Sequence, residues 1–157
     1  MAIIDCGVGN LYSIKCALQK TGLDATISST PKNLQNIDAV VLPGVGNFKA
    51  GSTNLQNLRS MIAGLVESGV LLFGVCLGMQ LLFEGSEESS GEGLGLLKGR
   101  VRRLPLNVKA PHMGWNTLAF LKRNELLDGV AEDDYFYFVH SYYADPADNG
   151  IVVANTS

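Results

Sequence analysis

This sequence predicts an α/β protein: a mainly parallel sheet flanked by helices, with antiparallel strands added to it. Three observations carry that prediction. Short apolar runs alternate with stretches of helical period through the first half of the chain. Two of the runs stop abruptly at a Gly-x-Gly turn, at 7–9 and 44–46. Past Phe83 the helical stretches thin out, and short strands follow one another across turns, the pattern of antiparallel pairing.

Residues 2–6 read as a strand, and Gly7-Val8-Gly9-Asn10 turns it into a helix over 11–20. Leu11, Ile14 and Leu18 recur there at helical spacing, and Gly22 stops the helix. Residues 25–28 predict a weaker strand, and the DAVVL run at 38–42 a third, cut off by Pro43-Gly44-Val45-Gly46. A helical region over 48–67 follows, with a break near Arg59 and an apolar stripe of Leu55, Leu58, Ile62 and Leu65. Residues 70–75 are an apolar run with β-formers at both ends, a buried strand, and 77–83 are rich in helix formers. A polar, glycine-rich loop spans 84–95 and carries Glu84, Glu87, Glu88 and Glu92. Strands are predicted over 97–104, 116–120 and 134–143, with a helical turn around Leu126 and Leu127, and a last strand over 151–154. No repeat or linker interrupts the chain, so a single domain over 1–157 is expected.

Bulk properties exclude several function classes. With 157 residues, 46% hydrophobic and 17% charged, there is chain enough for a proper core. A net charge of −3 does not favour nucleic acid or an anionic membrane as partner. Lys98, Arg100 and Arg102 alternate on one strand face and read as solvated. Three cysteines without paired spacing make neither a disulfide framework nor a zinc site, so no metal is expected. The apolar N-terminal run is short and lacks a basic flank, and no stretch approaches a membrane span. A reducing, cytoplasmic setting fits best.

The chemistry concentrates at residues 74–78, Gly-Val-Cys-Leu-Gly, on a predicted strand-to-helix junction. This is the G-x-nucleophile-x-G elbow with cysteine in the nucleophile's place. Glycine is needed on both sides because neighbouring backbone approaches closely. The sulfur then faces a helix N-terminus, whose free N–H groups favour thiolate and can hold an oxyanion. The same pentapeptide also fits a buried cysteine that ends a core strand. The glycine loops are poor nucleotide sites: the third glycine of G-x-G-x-x-G falls on Tyr12 for one and Lys49 for the other. No cofactor is expected. The Pro43–Gly46 turn fits either an ordinary sharp turn or a second set of N–H donors for an oxyanion hole.

The stretches IIDCGVGNL (3–11), LPGVGNF (42–48), GVCLGMQLLFEGSEE (74–88), GLGLLKGRVRRL (93–104), PHMGWN (111–116) and YFVHSYY (137–143) resemble the class I, cysteine-dependent glutamine amidotransferases. More narrowly, they are similar to the glutaminase subunits of imidazole glycerol phosphate synthases of histidine biosynthesis. The elbow marks the wider class, whereas PHMGWN and FVHSYY point to this subunit type. The resemblance implies that Cys76 attacks the side-chain amide of glutamine, giving a glutamyl thioester and ammonia. It implies an oxyanion hole from Leu77, Gly44 and Gly46, and a glutamine site from Gln80, Glu88, Ser141 and Tyr142. Glu88 would take the α-ammonium, although in so acidic a loop it also fits a solvated carboxylate. Asn10, Trp115, Tyr135 and Tyr137 would lie where a β/α-barrel cyclase subunit docks and receives the ammonia.

One part of the family pattern does not match. The cysteine of such an enzyme needs a histidine base oriented by a carboxylate, which the family carries in a His-Pro-Glu motif on a later strand, before a terminal helix. The 157 residues contain His112 and His140 and no such motif, and both histidines match other family positions. The expectation is a chain truncated at its C-terminus, without the final strand–helix segment, and impaired as a glutaminase. Residues 151–154 would border the space of that segment. Two alternatives stand beside this reading: a glutaminase serving a different synthase, and a binding or regulatory subunit with an idle Cys76.

Overall fold

Four short apolar segments line up as a parallel sheet in the computed structural model, which describes residues 1–29 and 37–156. They are β1 (Ala2–Ile4), β2 (Thr26–Ser28), β3 (Ala39–Leu42) and β4 (Leu71–Gly74), in the order β2-β1-β3-β4. The two-residue period of a strand sends alternate side chains to opposite faces. On one face Ile3, Ala25 and Val41 pack under Leu11, Ile14 and Leu18 of α1 (Leu11–Lys20). On the other, Ile4, Val40 and Leu42 meet Phe48 and Leu55 of α2 (Phe48–Leu55) and Ile62 of α3 (Arg59–Glu67). Phe48 and Ile62 are fully buried, each contributing about 1.5–3 kcal/mol of burial energy. The break expected near Arg59 is a single 3-10 turn, Gln56–Leu58, between α2 and α3.

The helix after β4 is shorter than predicted: α4 spans Leu77–Gln80, one turn. The carbonyls that would extend it are taken by the returning chain. Leu94, Gly95 and Leu97 donate their N–H groups to the carbonyls of Leu81, Phe83 and Leu82, at 2.6, 3.2 and 3.0 Å. The polar loop also hides a short strand, β5 (Gly85–Ser86), paired in parallel with β6 (Gly99–Arg103).

Two further predicted strands are subdivided. In place of 116–120 there are β7 (His112–Asn116) and β8 (Ala119–Phe120). Asn116 Oδ1 accepts the Thr117 N–H at 2.9 Å, and so withdraws a donor that a continuous ladder would need. In place of 134–143 there are β9 (Phe136–His140) and β10 (Tyr142–Pro146), which serve different partners, β7 and β6. Ser141 sits at the break, and its carbonyl accepts from Leu104 N–H at 2.9 Å.

At the end of the described chain a 3-10 turn, Asn149–Ile151, precedes β11 (Ala154–Asn155), which pairs antiparallel with β8. The predicted strand over 151–154 is therefore displaced. Asp148 Oδ1 caps the turn through Gly150 N–H at 2.7 Å and keeps Ile151 out of a ladder.

Among the described residues β4 is one of the two edges of the parallel sheet, β2 being the other. Leu71 is 71% exposed and Phe73 42%, on the face that α1 covers farther along. An unpaired strand edge bearing apolar side chains templates self-association. Leu71→Lys is expected to lower self-association without cost to the fold, as read by light scattering and the melting temperature. Unchanged association would clear this edge of blame.

Candidate active site

The parallel ladder runs to the end of β4, where Val75 N–H donates to Leu42 O at 3.0 Å, and the chain then reverses at Cys76. Cys76 has φ 54° and ψ −115°, the sole positive φ at a non-glycine among the described residues. Such strain persists only where its surroundings hold it, and it is the signature of a nucleophile elbow. Cys76 is exposed, so a buried cysteine that ends a core strand is ruled out.

Glycine is required around it for the expected reason. A Cβ on Gly78 would lie 1.7 Å from the Leu42 carbonyl oxygen, and one on Gly74 2.6 Å from Met79 Cα. The Pro43–Gly46 turn is pressed against the same place: a Cβ on Gly44 would lie 2.7 Å from Leu77 Cβ and 2.8 Å from Gly78 N. Gly46, at φ 105°, has open space around it. Gly44 and Leu77 are thus brought together beside Cys76. Leu77 opens α4, so its N–H stands outside the helical ladder. With one turn of helix behind it, the elbow offers local N–H groups rather than a long helix dipole.

Gln80 closes that turn, its N–H donating to Cys76 O at 3.1 Å. Glu88 is not a freely solvated carboxylate. It is half-buried, and its Oε2 accepts Phe48 N–H at 2.6 Å. Ser141 and Tyr142 lie at the β9–β10 junction, with Tyr142 packed against the main core. Cys76 borders neither of two surface hollows of about 530 and 440 Å³, one beside Lys49 and Arg59 and one beside Asp5 and Asn54.

The two histidines form a hydrogen-bonded pair that their positions in the sequence did not suggest. They face each other across the β7–β9 ladder, His112 Nδ1 3.2 Å from His140 Nε2. His140 Nδ1 lies 3.0 Å from Tyr142 O, and His112 Nε2 3.5 Å from Asn116 Nδ2. A carbonyl only accepts, so His140 Nδ1 carries a proton and donates it. The 3.2 Å between His140 Nε2 and His112 Nδ1 is a hydrogen bond whose direction the tautomer sets. All four ring nitrogens are engaged within the ribbon.

The opposite face of that ribbon is apolar and exposed. Register pairs Met113 with Val139 and Trp115 with Tyr137 on one side, and the last two rings touch at 5.6 Å between centroids. Trp115 is 69% exposed, and Tyr135, just before β9, 65%. Met113 and Val139 join this patch, and only the strand register reveals them. Asn10 stands apart on the chain as the N-cap of α1, its Oδ1 accepting Ser13 N–H at 3.1 Å.

Among titrating groups near the strand ends, burial pushes the Cys6 thiol up. Glu84 is held below the usual carboxylate range by the Gly99 N–H and Lys98. Cys6 is therefore a protonated, buried thiol. Native alkylation with iodoacetamide is expected to label Cys76 first, Cys16 more slowly and to spare Cys6, as mapped by peptide mass spectrometry.

A family model described as "Glutamine amidotransferase class-I" matches residues 2–157. The chain belongs to that family. It is also similar to curated proteins named imidazole glycerol phosphate synthase subunit HisH. The protein from Methanothermobacter thermautotrophicus is 51% identical over 157 residues, 99% of this chain and 78% of the relative. Those of Pyrococcus furiosus and Bacillus subtilis are 46% and 45% identical, over 99% of this chain and 78% and 77% of theirs. Two solved structures share the amidotransferase fold. A crystal structure of a glutamine amidotransferase aligns with TM-score 0.74 at 21% identity, over 98% of this chain and 78% of that one. The structure of PurLQS from Thermotoga maritima aligns with TM-score 0.74 at 18% identity, over 99% and 73%.

Proposed function

We propose that this amidotransferase is the glutaminase subunit of an imidazole glycerol phosphate synthase, working in the cytoplasm on glutamine and handing ammonia to a β/α-barrel cyclase subunit. The observation that carries the proposal is the strained Cys76 elbow with the Gly44 turn packed against Leu77 and Gly78. The subunit name of relatives at 45–51% identity supports the assignment to a synthase with a second subunit. Three free cysteines suit a reducing compartment, and no helix among the described residues is long and apolar enough to cross a membrane.

In this reading Cys76 Sγ attacks the side-chain amide carbon of glutamine. The carbonyl oxygen becomes an oxyanion, held by N–H groups of Leu77 and the Gly44–Gly46 turn. The C–N bond then breaks as the nitrogen takes up a proton, ammonia leaves, and a glutamyl thioester remains. Water hydrolyses the thioester to glutamate and restores the thiol. Gln80, Ser141, Tyr142 and Glu88 bind the amino-acid end of the substrate. The aromatic face of the β7–β9 ribbon, with Asn10, docks on the cyclase, so that ammonia crosses without meeting bulk water.

His112 and His140 are engaged with each other and with Asn116 and Tyr142. A positioned base is worth ~10²–10⁴-fold in rate. The isolated chain is expected to release glutamate slowly, while a glutamine-like diazo-ketone still labels Cys76 faster than Cys16, with Cys76→Ser abolishing both activities. Robust turnover lost in His140→Ala would instead make His140 the base. Equal labelling of Cys76 and Cys16 would favour an idle binding subunit.

A further inference from the structure

The acidic loop that follows α4 grips the front of α2. An N-cap side chain usually satisfies one of a helix's orphan N–H groups; here Asn47 Oδ1 takes that of Ala50 at 3.0 Å. The two N–H groups before it are taken from a distance of forty residues. Phe48 N–H donates to Glu88 Oε2 at 2.6 Å, and Lys49 N–H to Ser89 Oγ at 3.1 Å. The loop itself is fastened. Buried Ser86 accepts Glu88 N–H through its Oγ, and the Glu92 carbonyl accepts from both Ser52 Oγ and Arg59 Nη2 at 2.7 Å.

Phe48 opens α2, two residues past Gly46 of the turn that carries Gly44 and Gly46. Gly44 is packed so tightly on Leu77 and Gly78 that a methyl group does not fit between them. Holding Phe48 N–H restrains the start of α2, and through Asn47 the C-terminal end of the turn. A carboxylate has about four lone-pair sites, so one that holds Phe48 retains capacity for an ammonium group.

We infer that Glu88 is the positioning residue of the oxyanion turn, acting through Phe48 N–H, and that this couples recognition of the substrate's α-ammonium to the geometry of the oxyanion hole. The coupling rests on the glutaminase reading above; the clamp on Phe48 does not. Glu88 thereby contributes to the rate of covalent attack and not to binding alone.

Three variants separate charge from reach. Glu88→Gln keeps an oxygen at the same reach but loses the charge, Glu88→Asp keeps the charge but falls short of Phe48, and Glu88→Ala loses both. Hydrogen exchange at residues 44–50 tests the clamp directly. Exchange at Phe48 is expected to rise about 10-fold or more in Glu88→Ala and Glu88→Asp and to stay near wild type in Glu88→Gln. Saturation kinetics of Cys76 labelling by an α-amino diazo-ketone test the coupling. Glu88→Gln should raise the half-saturation concentration and keep the maximal rate within about threefold. Glu88→Asp should keep the half-saturation concentration and lower the maximal rate about 10-fold.

Unchanged Phe48 exchange in Glu88→Ala overturns the clamp. Equal maximal rates in all three variants, with exchange altered as expected, overturn the coupling. Wild-type labelling that fails to saturate counts against the glutaminase reading, and against the coupling with it, while the exchange result still judges the clamp.

Discussion

Gly78→Ala is expected to destabilise the protein by roughly 3 kcal/mol or more, at the upper end of what overpacking costs. The new methyl carbon would lie 1.7 Å from the Leu42 oxygen, 2.6 Å from the Leu42 carbonyl carbon and 3.2 Å from the Pro43 carbonyl carbon. All three are backbone atoms, so no side chain can swing aside to make room. Either α4 lifts off the end of β3 or the Pro43–Gly46 turn moves, and both displace Cys76. For a domain of this size that energy is a fall of roughly 6–12 °C in melting temperature, readable by circular dichroism. Cys76 labelling should fall further than stability alone explains. Gly64→Ala is the counterpart. Gly64 is exposed within α3, and a Cβ there meets nothing within 4 Å. It is expected to stabilise by about 0.5–1 kcal/mol. A Gly78→Ala protein that melts within two degrees of wild type would mean that the elbow is looser than drawn.

That contrast marks what could be read from residues alone. The elbow was legible because its constraint is local: two glycines, a cysteine and a strand-to-helix change within five residues. The span of α1 was legible for the same reason, with Asn10 capping one end and the turn at Gly22 closing the other. Features set by distant partners were not. Phe83 looks like helix, but its carbonyl belongs to Gly95. Strand β7 was missed because HMGWN carries a glycine and a histidine inside it, and its ladder with β9 makes it a strand. Glu88 looked as if it could be solvated because the N–H it serves lies forty residues earlier. The same register that creates β7 divides the ribbon into a face of engaged histidines and a face of exposed aromatics, a division invisible until the two strands are paired.

If the aromatic face of the ribbon docks the cyclase subunit as proposed, Trp115→Ala is expected to weaken that docking by about 2–4 kcal/mol, roughly 30- to 1000-fold in affinity. Monomeric proteins seldom leave a tryptophan, two tyrosines, a methionine and a valine uncovered side by side, and such patches mark partner surfaces. Trp115 is the central candidate because it is the largest member of the patch and is braced edge-on by Tyr137. A rigid ring already held in place loses little freedom on docking. The fold should tolerate the change, since a side chain 69% exposed contributes little to the core. Trp115 is also the sole tryptophan in the sequence, so its emission reports on its own burial. Docking should shift that emission to the blue, with Tyr137→Ala reducing affinity less than Trp115→Ala. Titration calorimetry of the variants against a cyclase subunit gives the affinities directly. If Trp115→Ala binds within threefold of wild type and wild-type emission does not move, the docking surface lies elsewhere, and the ribbon's aromatic face needs a different occupant.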